Sequence, residues 1–99
     1  MDNKEALRVL NREMDALRSE FYADLVRRIG TESREYELLG SSGAQYQVEI
    51  QFRWDNRTGG NVLVTGSIDD GRWRALVPLT RSFIKSVEAR SLANSERSQ

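Results

Sequence analysis

The stretch Tyr46-Gln47-Val48-Glu49-Ile50-Gln51-Phe52-Arg53-Trp54 decides the fold. Apolar side chains at 46, 48, 50, 52 and 54 alternate with polar ones at 47, 49, 51 and 53. That is the two-residue period of a strand with one face in a core and the other toward water. A second strand, residues 61–68, follows across a loop that contains Gly59 and Gly60. Next comes Asp70-Gly71, the dipeptide favoured in a two-residue type I′ hairpin. It predicts a tight turn into a third strand over residues 72–77, with Ile68 opposite Trp73, Gly66 opposite Ala75 and Val64 opposite Val77. On the other flank the same register sets Phe52 opposite Val64 and Ile50 opposite Gly66. All these residues then share one face, so the register is self-consistent. Gly66 and Ala75 make a notch of small residues that a helix or a large ring could approach closely.

Toward the N-terminus, Tyr36 to Leu39 is a short strand candidate whose membership of the sheet the sequence leaves open. Gly40-Ser41-Ser42-Gly43 is a turn cluster. Residues 3–29 are predicted as one long helix, with Asp2 as cap, Glu5 three residues on as in a capping box, and Gly30 just past the end. Leu7, Leu10, Met14, Leu17 and Phe21 recur at spacings of 3, 4, 3 and 4. This seam is about two heptads long, short of a firm coiled-coil signal. Asp24 ends it, and the stripe broadens through Tyr22, Leu25, Val26 and Ile29. Such a helix would be roughly 40 Å long, against strands of roughly 20–30 Å. Leu7, Leu10, Met14 and Leu17 are therefore the candidate interface, expected to overhang the sheet.

Toward the C-terminus, Pro78 is expected to end the last strand. Thr80 would cap a short helix whose apolar side is Phe83, Ile84 and Val87, with Leu79 and Ile84 as a hydrophobic staple. Residues 94–99 read as a disordered polar tail. The expected fold class is α+β: a two-layer sandwich with a long N-terminal helix, an antiparallel three- to four-stranded meander and a short C-terminal helix, forming a single domain over residues 1–93.

Fifteen acids balance fifteen bases, thirteen of them Arg and two Lys. A neutral chain has no general electrostatic hold on nucleic acid or an anionic membrane. Cysteine and histidine are absent. That removes thiol chemistry and the side chain that most often titrates near neutrality or binds transition metals. The first ten residues are charged and helical, without the apolar region of a secretory signal, and no apolar run is long enough to span a membrane. The expectation is a cytoplasmic chain without cofactor, metal site or membrane contact.

The polar face of the sheet would carry Gln47, Glu49, Gln51 and Arg53, then Leu63, Thr65, Ser67 and Asp69, then Arg72, Arg74 and Leu76. Arg53, Arg72 and Arg74 are the candidate binding residues there. Trp54 and Trp73 point to the opposite face by alternation, which weakens a base-stacking platform. Glu49 has no evident partner acid in the sequence and is expected to reach across Ser67 toward Arg74. Asp69-Asp70 is better explained by turn geometry than by a cation, which needs several converging oxygens. Ser41-Ser42 lacks a base to make a nucleophile, and no phosphate-cradling glycine pattern occurs.

The segment Gly66-Ser67-Ile68-Asp69-Asp70-Gly71-Arg72-Trp73-Arg74-Ala75, with Pro78-Leu79-Thr80 and Ser82-Phe83-Ile84, resembles a signature of a family of small uncharacterised bacterial proteins. The resemblance spans roughly residues 46–85. It implies a bacterial, cytoplasmic origin, adds no site residues and leaves the N-terminal helix outside. The functional expectation is a non-catalytic protein-interaction module, a homodimer or the binder of another protein, acting through the N-terminal helix. A nucleic-acid-associated protein using the Arg-bearing sheet face is the first alternative. A small toxin-neutralising or regulatory protein is the second.

Overall fold

The computed structural model describes residues 1–71 and 78–87. Six elements follow in order: α1 (Asn3–Arg18), α2 (Tyr22–Val26), β1 (Arg34–Leu39), β2 (Gln45–Trp54), β3 (Val62–Asp69) and β4 (Leu79–Lys85). The strands form one antiparallel sheet in the order β1-β2-β3-β4, so each pairs with its sequence neighbour. The chain is thus α+β with an antiparallel meander.

The alternation in β2 does what it predicts. Tyr46, Val48 and Ile50 are buried, as are Val62, Val64 and Ile68 of β3. Ile50 lies opposite Gly66 and Phe52 opposite Val64, as read from the sequence. β1 joins the sheet through a hairpin that sets Leu39 opposite Gln45. Its turn is closed by the Gly40 N–H donating to the Ala44 carbonyl at 2.8 Å, with Gly43 at φ +88°.

Three expectations fail. The first is the single helix over residues 3–29. α1 stops at Arg18, and Phe21 is extended (φ −68°, ψ 149°) before α2 begins. The cause lies in the two apolar stripes. At 100° per residue, Leu17 and Tyr22 sit about 140° apart on a continuous helix. Both cannot face one sheet. Breaking at Ser19–Phe21 lets Leu17, Tyr22 and Leu25 all enter the core and turns Phe21 outward, where it is 67% exposed. The Ser19 hydroxyl donates to the Ala16 carbonyl at 2.8 Å, and the Glu20 N–H to the Leu17 carbonyl at 3.0 Å. α1 alone is about 24 Å long, a match for the strands, so no overhang remains.

The second failure is the tight Asp70-Gly71 hairpin. Gly71 does take a positive φ of +76°, and its N–H donates to Asp69 Oδ1 at 2.6 Å. The strand that β3 meets is not the expected one, however. β3 pairs with β4: Ile68 lies opposite Leu79 rather than Trp73, Gly66 opposite Arg81 rather than Ala75, and Val64 opposite Phe83 rather than Val77. The displacement is six residues, an even number. Facing is therefore preserved, and the period-2 pattern could not distinguish the two registers. Residues 72–77 themselves lie outside the described residues.

The third is the helix capped by Thr80. Residues 79–85 are β4, so Pro78 immediately precedes a strand, and Leu79 and Ile84 form no staple; the expected strand before Pro78 falls outside the described residues. Phe83 is buried under α1, and the Arg18 guanidinium lies over its ring at 5.3 Å. The rest of the expected C-terminal helix and the tail over 94–99 fall outside the described residues.

α1 lies against β3 and β4, and α2 against β2 and β3. A Cβ placed on Gly66 would stand 2.6 Å from Met14 Sδ and 3.1 Å from Leu10 Cδ1. Gly66, half of the expected notch, is thus where α1 approaches the sheet; Ala75, the other half, lies outside the described residues. α2 is tied down by the Tyr22 hydroxyl, which donates to the Gly60 carbonyl at 2.6 Å.

Candidate interaction surfaces

Most of the heptad seam is not a free surface. Leu10, Met14 and Leu17 are buried against the chain's own sheet, and Leu7 is half-buried. The outer side of α1 is instead polar. Lys4, Arg8 and Arg12 repeat every fourth residue, all exposed, on one stripe of the helix.

One flank of α1 is clamped to the β1–β2 hairpin by Glu5. Asp2 Oδ1 accepts from the Glu5 N–H at 3.1 Å, as the expected cap. The Glu5 carboxylate does not return to close a capping box. It is buried and accepts from the Tyr46 hydroxyl (2.7 Å), the Ser42 hydroxyl (2.7 Å), the Ser42 N–H (2.9 Å) and the Ser41 hydroxyl (3.2 Å). Hydrogen bonds to the ionised form, led by that from Tyr46 and then those from Ser42, hold its pKa down at about 2. The same contact pushes Tyr46 up to about 12. Gly40 must be glycine here, since a Cβ would stand 2.5 Å from Glu5 Cδ. Ser41 and Ser42 are thus partners of a structural carboxylate. Farther along this flank the Tyr36 hydroxyl donates to Glu13 Oε1 at 2.8 Å, and burial together with that bond raises the Tyr36 pKa.

Among the described residues the open face of the sheet is acidic rather than basic. Arg53 is exposed on it, donating to Gln51 Oε1 at 3.1 Å, while Arg72 and Arg74 lie outside the described residues. Register brings Glu35 of β1 directly opposite Glu49 of β2, Glu37 opposite Gln47, and Asp69 of β3 opposite Gln47 on the far side. These residues line a shallow depression of about 470 Å³, with Ser67 and Pro78 at its β3–β4 side. Glu49 therefore has the partner acid that the sequence did not reveal. Its hydrogen bond with Glu35 raises its pKa, burial adds to that, and the Gln51 amide, donating at 3.0 Å, pulls the other way. The missing signal was register. Only the pairing of β1 with β2 shows that residues 35 and 49 meet.

Among the described residues no helix is long and apolar enough to cross a membrane, and no group of three metal-ligating side chains converges. The class that fold and surface define is an α+β chain with an antiparallel four-stranded sheet, on which, among the described residues, four carboxylates surround a shallow depression. No protein-family model, no curated protein and no solved structure matches this chain.

Proposed function

We propose that this chain is a non-catalytic protein-interaction module whose contact surfaces are the outer stripe of α1 and the open face of the sheet. The observation that carries the reading is the division of charge on a neutral chain. Lys4, Arg8 and Arg12 are exposed on the helix side, while Glu35, Glu37, Glu49 and Asp69 gather on the opposite side. Complementary potentials of this kind steer encounter and select partners. Against the nucleic-acid alternative stand the four carboxylates around the depression, which repel a phosphate backbone; of Arg53, Arg72 and Arg74 only Arg53 is among the described residues.

The test is comparative capture from a native host lysate by the immobilised wild type, an Arg8→Glu/Arg12→Glu variant and a Glu35→Lys/Glu37→Lys variant. All substituted positions are exposed, so circular dichroism of the three should agree. Loss of a specific bound protein in either variant supports the module. Identical capture by all three refutes it.

A further inference from the structure

Charge complementarity between the two exposed faces suggests what one of them holds. The acids on the helix side of the molecule are already engaged. Asp2 caps α1, Glu5 binds the Ser41-Ser42 turn, Glu13 accepts from Tyr36, Asp15 pairs with Arg18 at 3.8 Å, Glu20 forks onto Arg28 at 2.7 and 2.8 Å, and Asp24 pairs with Arg27. No ion pair among the described residues engages Lys4, Arg8 or Arg12. On the open face no ion pair among the described residues engages Glu35, Glu37, Glu49 or Asp69: Glu37 and Asp69 lie opposite Gln47, and Glu49 faces Glu35. The dimensions agree as well. Lys4 to Arg12 covers about 12 Å along the helix. The four acids cover about 7 Å along β1 and about 10 Å across β1–β3.

We propose that the partner of the acidic sheet face is the Lys4-Arg8-Arg12 stripe of a second copy of this chain. This deepens the module reading and rests on it. The two surfaces lie on opposite sides of the molecule, so each contact leaves one of each kind free. Association is head-to-tail, and its product is an open-ended series of oligomers rather than a closed dimer. Each exposed pair contributes only a few-fold to affinity, so assembly is weak, reversible and dependent on salt.

Sedimentation velocity on the full chain, from about 10 µM to about 1 mM, tests this. At about 20 mM salt the average mass should climb with concentration from 11.4 kDa past twice that value. At about 500 mM salt the apparent association constant should fall at least about tenfold. Arg8→Glu/Arg12→Glu and Glu35→Lys/Glu37→Lys should each remain monomeric, and an equimolar mixture of the two should associate again, because the reversed charges complement each other. A wild type that stays at 11.4 kDa in low salt overturns the proposal. So does a dimer insensitive to salt, or a mixture of two folded variants that stays monomeric. If a variant fails to fold, the salt series on the wild type still decides. A monomeric wild type that captures a host protein, and loses it in the variants, sinks self-association but leaves the module standing.

Discussion

Gly66→Ala adds one methyl group where α1 meets the sheet. The new Cβ would lie 2.6 Å from Met14 Sδ, 3.1 Å from Ile50 Cδ1 and 3.1 Å from Leu10 Cδ1. Comfortable separations for such atoms are about 3.5–4.0 Å, so Met14 must retreat by about 1 Å and its neighbours by about half that. Leu10, Met14 and Ile50 are all buried, which leaves little slack. Overpacking of this kind costs about 1–3 kcal/mol. Replacing a strand glycine returns about 0.5–1 kcal/mol through the lower entropy of the unfolded chain. The net expectation is a loss of about 1–2 kcal/mol. For a domain of this size that lowers Tm by about 5–15 °C. Urea unfolding followed by far-UV circular dichroism measures it directly. The mechanism also sets a sign in a double-mutant cycle. Met14→Ala alone should cost about 2–5 kcal/mol. In that background Gly66→Ala fills vacated space, so the pair should cost less than the sum by about 0.5–3 kcal/mol. A neutral or stabilising Gly66→Ala, or strict additivity with Met14→Ala, would refute the close approach of α1 to β3.

Other expectations follow from single contacts. Glu5 has its pKa lowered from 4.5 to about 2 on folding. Its contribution is therefore complete above pH 4.5 and is lost as pH falls toward 2. Stability measured from pH 6 downward should decline less steeply in Glu5→Gln than in the wild type, and parallel curves would contradict the assignment. Tyr22→Phe removes the 2.6 Å bond to the Gly60 carbonyl in a buried setting and should cost about 1–3 kcal/mol in chemical denaturation. An unchanged midpoint would mean that α2 is held by packing alone. For the Glu35–Glu49 pair the sign is opposite to that of Glu5. The Glu49 pKa is raised, so its contribution is present below its unfolded pKa and is lost as pH rises through the folded value. Glu35→Gln should relieve a like-charge cross-strand pair and stabilise the chain at neutral pH by about 0.2–1 kcal/mol. Carboxyl-detected NMR should show Glu49 titrating lower in that variant. A Glu49 titration unchanged by the substitution would disprove the contact.

Local periodicity made much of the sheet legible. The alternation over residues 46–54 placed β2 and chose its buried face, and the small side chain at Gly66 marked where a helix would approach. The pairing of Ile50 with Gly66 and of Phe52 with Val64 was readable for the same reason. Long-range choices between equivalent local patterns were not. A six-residue change in the β3–β4 pairing leaves every residue on the same face, so local periodicity cannot decide it; the register found is the one that buries Phe83. The helix over residues 3–29 looked continuous because each half is amphipathic. The break at Ser19–Phe21 exists because one sheet must receive both Leu17 and Tyr22. The acidic face was hidden in the same way. Glu35 and Glu49 are fourteen positions apart, and nothing in the chain says they meet until β1 is laid against β2. Residue type and spacing determine which side of an element is buried. Which elements meet, and in what register, is decided by the total packing of the core, to which every segment contributes at once.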